Sequence, residues 1–291
     1  MNVMPTLIRR ELWEHRSLWI VPLVIAGLIV VAAMFPHANL QMDDSDFSTP
    51  QKQLAVFAIF HSALTIPQFL LLAVLLPFYL LDCLYAERKD RSILFWKALP
   101  VSDAQTVLSK LLVALAIVPL GVYVLTVCTD IAASGILAVR LRESEVLRAL
   151  VHWDTGVWLH TQGLILASLV VVILWYAPIA GYLLLVSAWA KRNAFLWASL
   201  PPLIAMLVEK IAFRTSYLAH LLGYRLSVSG ALGLGHGLAG KAAIAGDDVS
   251  GMMGSVKPLL AFANVDLWLG IAVTVALVGV TIRIRRHQDV S

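Results

Sequence analysis

Six long apolar stretches restrict the fold of this chain more than any other feature of its sequence. A helix needs roughly 20 mostly apolar residues to cross the hydrocarbon core of a bilayer. Only 14% of the 291 residues are charged and 60% are hydrophobic, whereas soluble domains are about a quarter charged. We therefore expect a single-domain, all-α integral membrane protein with six transmembrane helices. The predicted spans are residues 18–35, 65–84, 107–128, 164–189, 195–213 and 267–284.

The fifth span is the least regular of the six. Its uncharged part ends at Val208, and it reaches full length only if the helix continues through Glu209 and Lys210 to Phe213. Since Glu209 is followed at once by Lys210, the two side chains could neutralise each other within the membrane.

Basic residues collect beside one set of span ends, and this asymmetry predicts the orientation. Lys and Arg that flank spans are retained in the cytoplasm, and an even number of spans places both termini on the same side. That side would hold Arg9, Arg10, Arg16, Arg88, Lys89, Arg91, Lys97, Lys110, Lys191, Arg192, Arg283, Arg285 and Arg286. We therefore expect a multi-pass protein of the cell membrane with both termini cytoplasmic.

The net charge of +4 and the pI near 9.1 invite a nucleic-acid interpretation. The basic residues lie beside spans and not on one continuous face, so anionic membrane lipids are the expected partner, and nucleic acid is not.

Residues 1–17 precede the first span and carry both apolar and charged side chains. Met4, Ile8 and Leu12 recur at near-helical spacing, whereas Arg9, Arg10, Glu11, Glu14 and His15 supply polar faces. This pattern predicts an amphipathic helix lying along the cytoplasmic interface. An ordinary basic flank of the first span is the alternative.

The segment 86–100, between the second and third spans, has the clearest local signals. Pro100 disfavours helical geometry at Leu99, and Ser102 with Gln105 forms a capping box that starts the third span. Four apolar side chains can line one side of a short helix before this break: Ile93, Leu94, Trp96 and Leu99. We interpret the segment as a contact point for a soluble partner. A solvated loop with aromatic residues at head-group level is the alternative.

The order of residues in and after this segment is similar to the sequence signature of a known protein family. Glu87-Arg88 is followed by Leu94-Phe95-Trp96-Lys97-Ala98-Leu99-Pro100-Val101-Ser102 and then by Ser109-Lys110. This order resembles the cytoplasmic signature of type 2 ABC transporter permeases, in which an E-R pair precedes a short coupling helix. Lys191-Arg192-Asn193 and Leu200-Pro201-Pro202 also resemble members of this family.

The resemblance implies a six-helix permease subunit with an interfacial elbow helix at the start. It also implies a coupling helix at 86–100, and partly re-entrant helices within the external segment 214–264. The residues that it implies in coupling to an ATPase are Glu87, Arg88, Ile93, Leu94, Phe95, Trp96, Leu99, Pro100, Lys191 and Arg192.

The chain has no convincing ATP-binding motif of its own. Gly235 to Lys241 match the spacing of a phosphate-binding loop, but Ala242 replaces the hydroxyl residue that holds magnesium, and no strand precedes the glycines. ATP and Mg²⁺ are therefore expected on a separate cytoplasmic ABC ATPase present in two copies, with no cofactor on this chain. A second permease subunit should complete the pathway, a homodimer by default and a related permease otherwise.

No motif for catalysis or metal binding stands out either, so we expect a transporter subunit and not an enzyme. His152, Asp154 and His160 could bind a metal, although their Trp-rich surroundings favour aromatic anchoring at the membrane surface. Asp82 and Asp130 lie near span ends, which argues against a carrier with a central carboxylate relay. The function predicted is an ATP-driven exporter; a membrane scaffold, or a membrane-embedded enzyme without a recognisable motif, is the alternative.

Overall fold

The computed structural model describes residues 3–35, 50–90, 101–140, 155–227 and 258–287. Within these ranges the chain is helical almost throughout and contains no strand. Six segments are long and apolar enough to cross a membrane: Ser17–Met34, Ala63–Lys89, Asp103–Val139, Thr155–Trp189, Ala194–Phe213 and Val265–His287. The prediction of an all-α membrane protein with six such helices is confirmed.

The described residues form ten α-helices, numbered in chain order. They are α1 (Val3–Glu14), α2 (Ser17–Met34), α3 (Pro50–Asp82), α4 (Tyr85–Lys89), α5 (Asp103–Leu112), α6 (Val118–Arg140), α7 (Thr155–Trp189), α8 (Ala194–Val208), α9 (Tyr217–Leu226) and α10 (Val265–His287). Two π-helical turns, Val113–Ile117 and Glu209–Phe213, continue α5 into α6 and extend α8; a 3-10 helix, Pro258–Ala263, precedes α10.

The third span is interrupted by the π-helical turn Val113–Ile117, which ends just before Pro119. Proline lacks a backbone N–H, and its ring clashes with the preceding turn, so the regular hydrogen-bond ladder cannot pass through it. A π turn is one way in which a helix absorbs such a break. The two halves, α5 and α6, therefore continue as one long rod.

Close packing of α2 on α6 depends on a glycine. A Cβ atom at Gly121 would lie 2.4 Å from the ring of Trp19, so only glycine lets the indole lie against this backbone. Elsewhere in the bundle, α10 packs along α7, and α3 contacts α2, α6 and α7. Between these helices lies an apolar core that includes Leu72, Val113, Val118, Val122 and Leu184.

Both ends of the described chain lie at the same end of the bundle. The helix α1 packs against α5, and Arg285 near the end of α10 bonds to Asp103 at the start of α5. The predicted capping box is confirmed there: Gln105 N donates to Ser102 Oγ, and Ser102 N donates to Gln105 Oε1. We call this the terminal end of the bundle, and the other the distal end.

The fifth span extends to Phe213 as a helix, but its charged pair is not joined as expected. Glu209 accepts hydrogen bonds from the N–H groups of Tyr217 and Leu218, at 2.6 and 2.9 Å, and thereby caps α9. The side chains of Glu209 and Lys210 form no ion pair in the structure, so the neutralising pair is wrong. The unpaired N–H groups at the start of a helix compete well for a carboxylate.

Beyond this cap, α9 turns back against α7. The indole of Trp175 donates to Arg225 O at 3.0 Å, and Tyr176 Oη donates to Leu226 O at 2.8 Å. The described parts of the predicted external segment are thus helical, namely α9 and the 3-10 helix, whereas residues 228–257 lie outside the described residues.

Candidate functional site

Of the predicted coupling residues, the structure describes four. Glu87 and Arg88 lie in α4, and Lys191 with Arg192 forms the exposed turn between α7 and α8. The other six fall outside the described residues: Ile93, Leu94, Phe95, Trp96, Leu99 and Pro100. The helix α4 ends at Lys89, shortly before the segment 91–100 in the chain.

Glu87 lies at the centre of a buried ionic network at the terminal end. Its Oε1 atom accepts a hydrogen bond from Arg10 Nη2 at 2.8 Å and forms a salt bridge with Lys110 Nζ at 3.0 Å. Its Oε2 atom accepts from Arg285 Nη1 at 2.8 Å. One carboxylate therefore contacts the first helix, the start of the third span and the end of the last span.

A second carboxylate, that of Glu11, completes the network from the N-terminal helix. Glu11 Oε1 accepts a hydrogen bond from Lys110 Nζ at 2.6 Å, and its Oε2 accepts one from Tyr79 Oη at 3.2 Å. Only 1% of Glu11 is exposed. The prediction that this residue lies on a polar face of α1 is therefore wrong for Glu11, because the side chain points into the bundle to meet a buried lysine.

The charges of the network balance almost fully. Arg10, Lys110 and Arg285 face Glu11, Glu87 and Asp103, while Glu14 bonds to Arg10 at the exposed rim. Burial is expensive for an isolated charge, and it is tolerated here because each buried group meets an opposite charge. Burial alone would lower the pKa of Arg10, but the hydrogen bond to Glu14 and the charges of Glu11 and Glu87 raise that pKa above its usual value.

Arg88 fastens the other face of α4 to the end of α7. Its Nη2 atom donates to the carbonyl oxygens of Ser187 and Ala190, at 2.5 and 2.8 Å. The last carbonyls of a helix lack intrahelical partners and carry the negative end of the helix dipole, so a guanidinium group satisfies them well. Ala190 directly precedes Lys191 and Arg192, which places the two predicted coupling elements side by side.

The first turn of α4 is also tied to α7. Ser187 Oγ accepts hydrogen bonds from the N–H groups of Leu84 and Tyr85, at 3.1 and 3.0 Å, and so caps α4 from another helix. Two neighbouring residues, Glu87 and Arg88, therefore link α4 to α1, α5, α7 and α10.

Sequence reasoning identified Glu87 and Arg88 but missed most of the network. The sequence places Glu11 on a polar face of α1 and Arg285 among the basic residues beside span ends, and it does not single out Asp103, because nothing in a single sequence shows which charges meet. Lys110 was already part of the Ser109-Lys110 motif, and its position within an apolar run was a usable signal: a charge inside a span needs a buried partner. The structure supplies two such partners for it.

A second polar cluster lies towards the distal end, and sequence patterns do not predict its assembly. Asp130 is fully buried and accepts hydrogen bonds from Trp158 Nε1 at 2.8 Å and Gln162 Nε2 at 3.0 Å. His61 Nδ1 lies 2.6 Å from its other oxygen. The cluster joins α3, α6 and α7. His160 is exposed, and His152 and Asp154 lie outside the described residues; the described residues contain no metal-binding group of three or more His, Cys, Asp or Glu side chains.

The two clusters are separated by about the thickness of a bilayer. Lys110 and Asp130 lie 20 residues apart in one continuous helical rod, which corresponds to about 30 Å at 1.5 Å per residue, the thickness of a hydrocarbon core. The residues that face the core between them include Val113, Val118 and Val122, all fully or almost fully buried. Among the described residues, therefore, a mostly apolar core separates the two clusters, with Gln68 and Thr126 as buried, hydrogen-bonded polar side chains within it.

We expect Asp130→Asn to lower the free energy of unfolding by about 1–3 kcal/mol, the cost of leaving a buried donor unpaired. Trp158 Nε1 and Gln162 Nε2 can only donate to Asp130, and His61 donates to it in its Nδ1–H tautomer, whereas an amide NH₂ cannot accept a hydrogen bond from any of them. Thermal unfolding in detergent would measure the loss. The matched control is Asp90→Asn, since Asp90 is exposed at the end of α4; equal stability of the two variants would show that the distal cluster is not a stabilising element.

Comparison of the chain with protein-family models, curated proteins and solved structures finds no significant match. The resemblance to a permease family therefore stands on the motifs around Glu87 and Lys191 and on the layout of the spans.

Proposed function

We propose that this chain is the transmembrane subunit of an ATP-driven exporter of the ABC class, coupled to ATPase subunits on separate polypeptides. In this proposal the terminal end is cytoplasmic, and α1 lies along the inner interface. The segment that follows α4 contacts the ATPase, together with the turn at Lys191 and Arg192.

The observation that carries the proposal is the attachment of α4. A partner that pushes on a loop moves a membrane domain only if the base of the loop is fixed to the spanning helices. Glu87 and Arg88 fix it to α1, α5, α7 and α10 through contacts of 2.5–3.0 Å. An ordinary solvated loop needs no such anchorage, which favours the coupling interpretation of segment 86–100.

The mostly apolar core favours a complex with a second permease subunit. Because the interior between the two clusters is mostly apolar, with Gln68 and Thr126 as buried polar side chains, a pathway for a polar or amphipathic substrate fits better between two copies than through one. Closed two-fold pairs are the commonest assembly, so a homodimer with two ATPase subunits is the proposed complex. Movement of the four anchored helices would then open and close the space between the copies.

The test replaces Phe95 and Trp96 with Asp in the full complex reconstituted with its ATPase. In this proposal an apolar groove of the ATPase binds Phe95 and Trp96, and two Asp side chains would bring negative charge into it. The binding free energy should then weaken by about 2 kcal/mol, which lowers the affinity for the ATPase about 30-fold. Stimulation of ATP hydrolysis by substrate should fall accordingly. Association is measured by titrating labelled ATPase, and hydrolysis by release of phosphate.

The control is the conservative pair Phe95→Leu and Trp96→Phe, which keeps the surface apolar and should retain most of the association and stimulation. Normal melting of the Asp variant establishes that it folds. If that folded variant binds the ATPase and responds to substrate like the natural chain, segment 86–100 is not the coupling element and the proposal fails.

A further inference from the structure

A cavity of about 630 Å³ opens at the terminal end of the bundle, next to the ionic network, and Tyr79, which donates to Glu11 of the network, is one of its lining residues. Both α2 and α8 contact α3, and the cavity lies over the last turns of α3 between them. The turn between α1 and α2 and the residue Tyr85 close it on the side of the terminal end. Its volume falls in the range of small-molecule sites, about 300–1,000 Å³.

The walls of the cavity change from polar to apolar along the membrane normal. Asp82, the last residue of α3, lies only five residues before the network carboxylate of Glu87, and so at the depth where charged groups begin. Leu75 lines the same cavity seven residues earlier in α3, which places it about 10 Å deeper in the hydrocarbon. An occupant that fits this gradient has a polar head and an apolar tail.

The polar end favours a cation. Asp82 is exposed to the cavity and has no ion-pair partner among the residues that the structure describes. Aromatic rings stand nearby: Phe78 and Phe195 stack with their centroids 6.4 Å apart and line the cavity together with Tyr85. A carboxylate beside aromatic rings suits an ammonium group, which gains from the charge and from the ring faces.

The cavity also has a complement for the phosphate that accompanies such an ammonium group in a lipid. The first residues of α8, Asn193 to Phe195, line it, and no side chain caps the N–H groups of this helix start. His15 lines the cavity too. Helix starts favour anions, so a carboxylate and a helix start in one cavity match the two charges of a zwitterion.

Beyond the residues that line the cavity, α2 and α8 carry exposed apolar side chains. Ile20 and Leu23 on α2, and Leu200 and Leu203 on α8, are all about half exposed, as expected for side chains that face lipid. We propose that this cavity binds one membrane phospholipid with an ammonium-bearing head group, such as phosphatidylethanolamine, with the ammonium at Asp82 and the acyl chains between α2 and α8. The site requires neither an ATPase nor transport.

The test is native mass spectrometry of the purified full chain, titrated with phosphatidylethanolamine or phosphatidylglycerol of identical acyl chains. The natural chain should bind the ethanolamine lipid about tenfold more tightly, the difference expected for one charge-assisted contact. Asp82→Asn should abolish this preference, whereas Asp82→Glu should keep it. Asp90→Asn is the matched control, because it removes an exposed carboxylate that does not line the cavity.

A second variant keeps the test decisive if the carboxylate also affects folding. Ser17 lines the cavity at the start of α2 and is exposed, so Ser17→Trp should fill the cavity and reduce binding of both lipids at an unchanged melting temperature. Equal affinity of the natural chain for both lipids would overturn the proposal, as would a preference that survives Asp82→Asn and Ser17→Trp. Equal competition by glycerophosphoethanolamine, which lacks acyl chains, would replace the lipid with a soluble amine and also overturn it.

Discussion

Replacing Glu87 with Ala is expected to lower the free energy of unfolding by about 3–5 kcal/mol, the range measured when one partner of a buried ionic group is removed. The change leaves Lys110 and Arg285 buried near each other, with Glu11 and Asp103 as their remaining acidic contacts. Since native proteins are stable by only about 5–15 kcal/mol, this single change should bring the chain close to unfolding. Unfolding in mixed micelles, followed by tryptophan fluorescence, would measure it.

The control for this prediction is Glu14→Ala. Glu14 pairs only with Arg10 among the network residues and is 45% exposed, and exposed pairs contribute about 0–1 kcal/mol. The comparison contrasts a buried glutamate that meets three cations with an exposed glutamate that bonds to one of the same cations, Arg10. Losses of similar size in the two variants would mean that the network does not hold the terminal end together.

The fold could be predicted from the sequence to the extent that lipid dictates it. A bilayer forces each spanning segment to satisfy its own backbone groups, so long apolar runs become helices whatever their neighbours are. Helix ends were less predictable. The run at 164–189 is the apolar part of α7, which begins at Thr155, because polar residues such as Gln162 continue the helix once Asp130 accepts their hydrogen bonds.

The candidate site was predictable only in part, for a physical reason. Glu87 and Arg88 were found because neighbouring residues form a local signature, and Ser102 with Gln105 because a capping box is local as well. The network instead joins Arg10, Glu87 and Arg285, which are distant in sequence. No periodicity or spacing in the sequence predicts that these three side chains contact one another. The sequence does place Lys110 within an apolar run. A charge there requires acidic partners, but the sequence does not show which residues they are.

The ionic network and the distal cluster differ in the kind of helix that they join. Asp130 joins three helices that are also packed against one another through apolar side chains, so its contacts mainly fix their register. Glu87 instead joins the five-residue helix α4 to three other helices, α1, α5 and α10.

Lys110 and Glu11 allow the ionic character of the network to be separated from its packing. Lys110→Met alone should cost about 3–5 kcal/mol of unfolding free energy, because Glu11 stays buried and loses its closest cation, and Glu11→Met should cost a similar amount. The double variant should lie closer to the natural chain than either single variant, since replacing both members of a buried pair by apolar residues is often neutral. A double-mutant cycle measured by the same micellar unfolding gives the coupling free energy.

We expect that coupling free energy to exceed about 3 kcal/mol, the top of the usual range for residues in direct contact, because the two single losses together are larger than the loss expected in the double variant by at least that amount. The two side chains are in close, buried contact: Lys110 Nζ lies 2.6 Å from Glu11 Oε1, and neither side chain is more than 2% exposed. The reference cycle pairs Arg10→Met with Glu14→Met, whose rim contact should couple by under about 1 kcal/mol. Additive losses at Lys110 and Glu11 would show that each residue acts through other neighbours, and the network would then not work as one ionic unit.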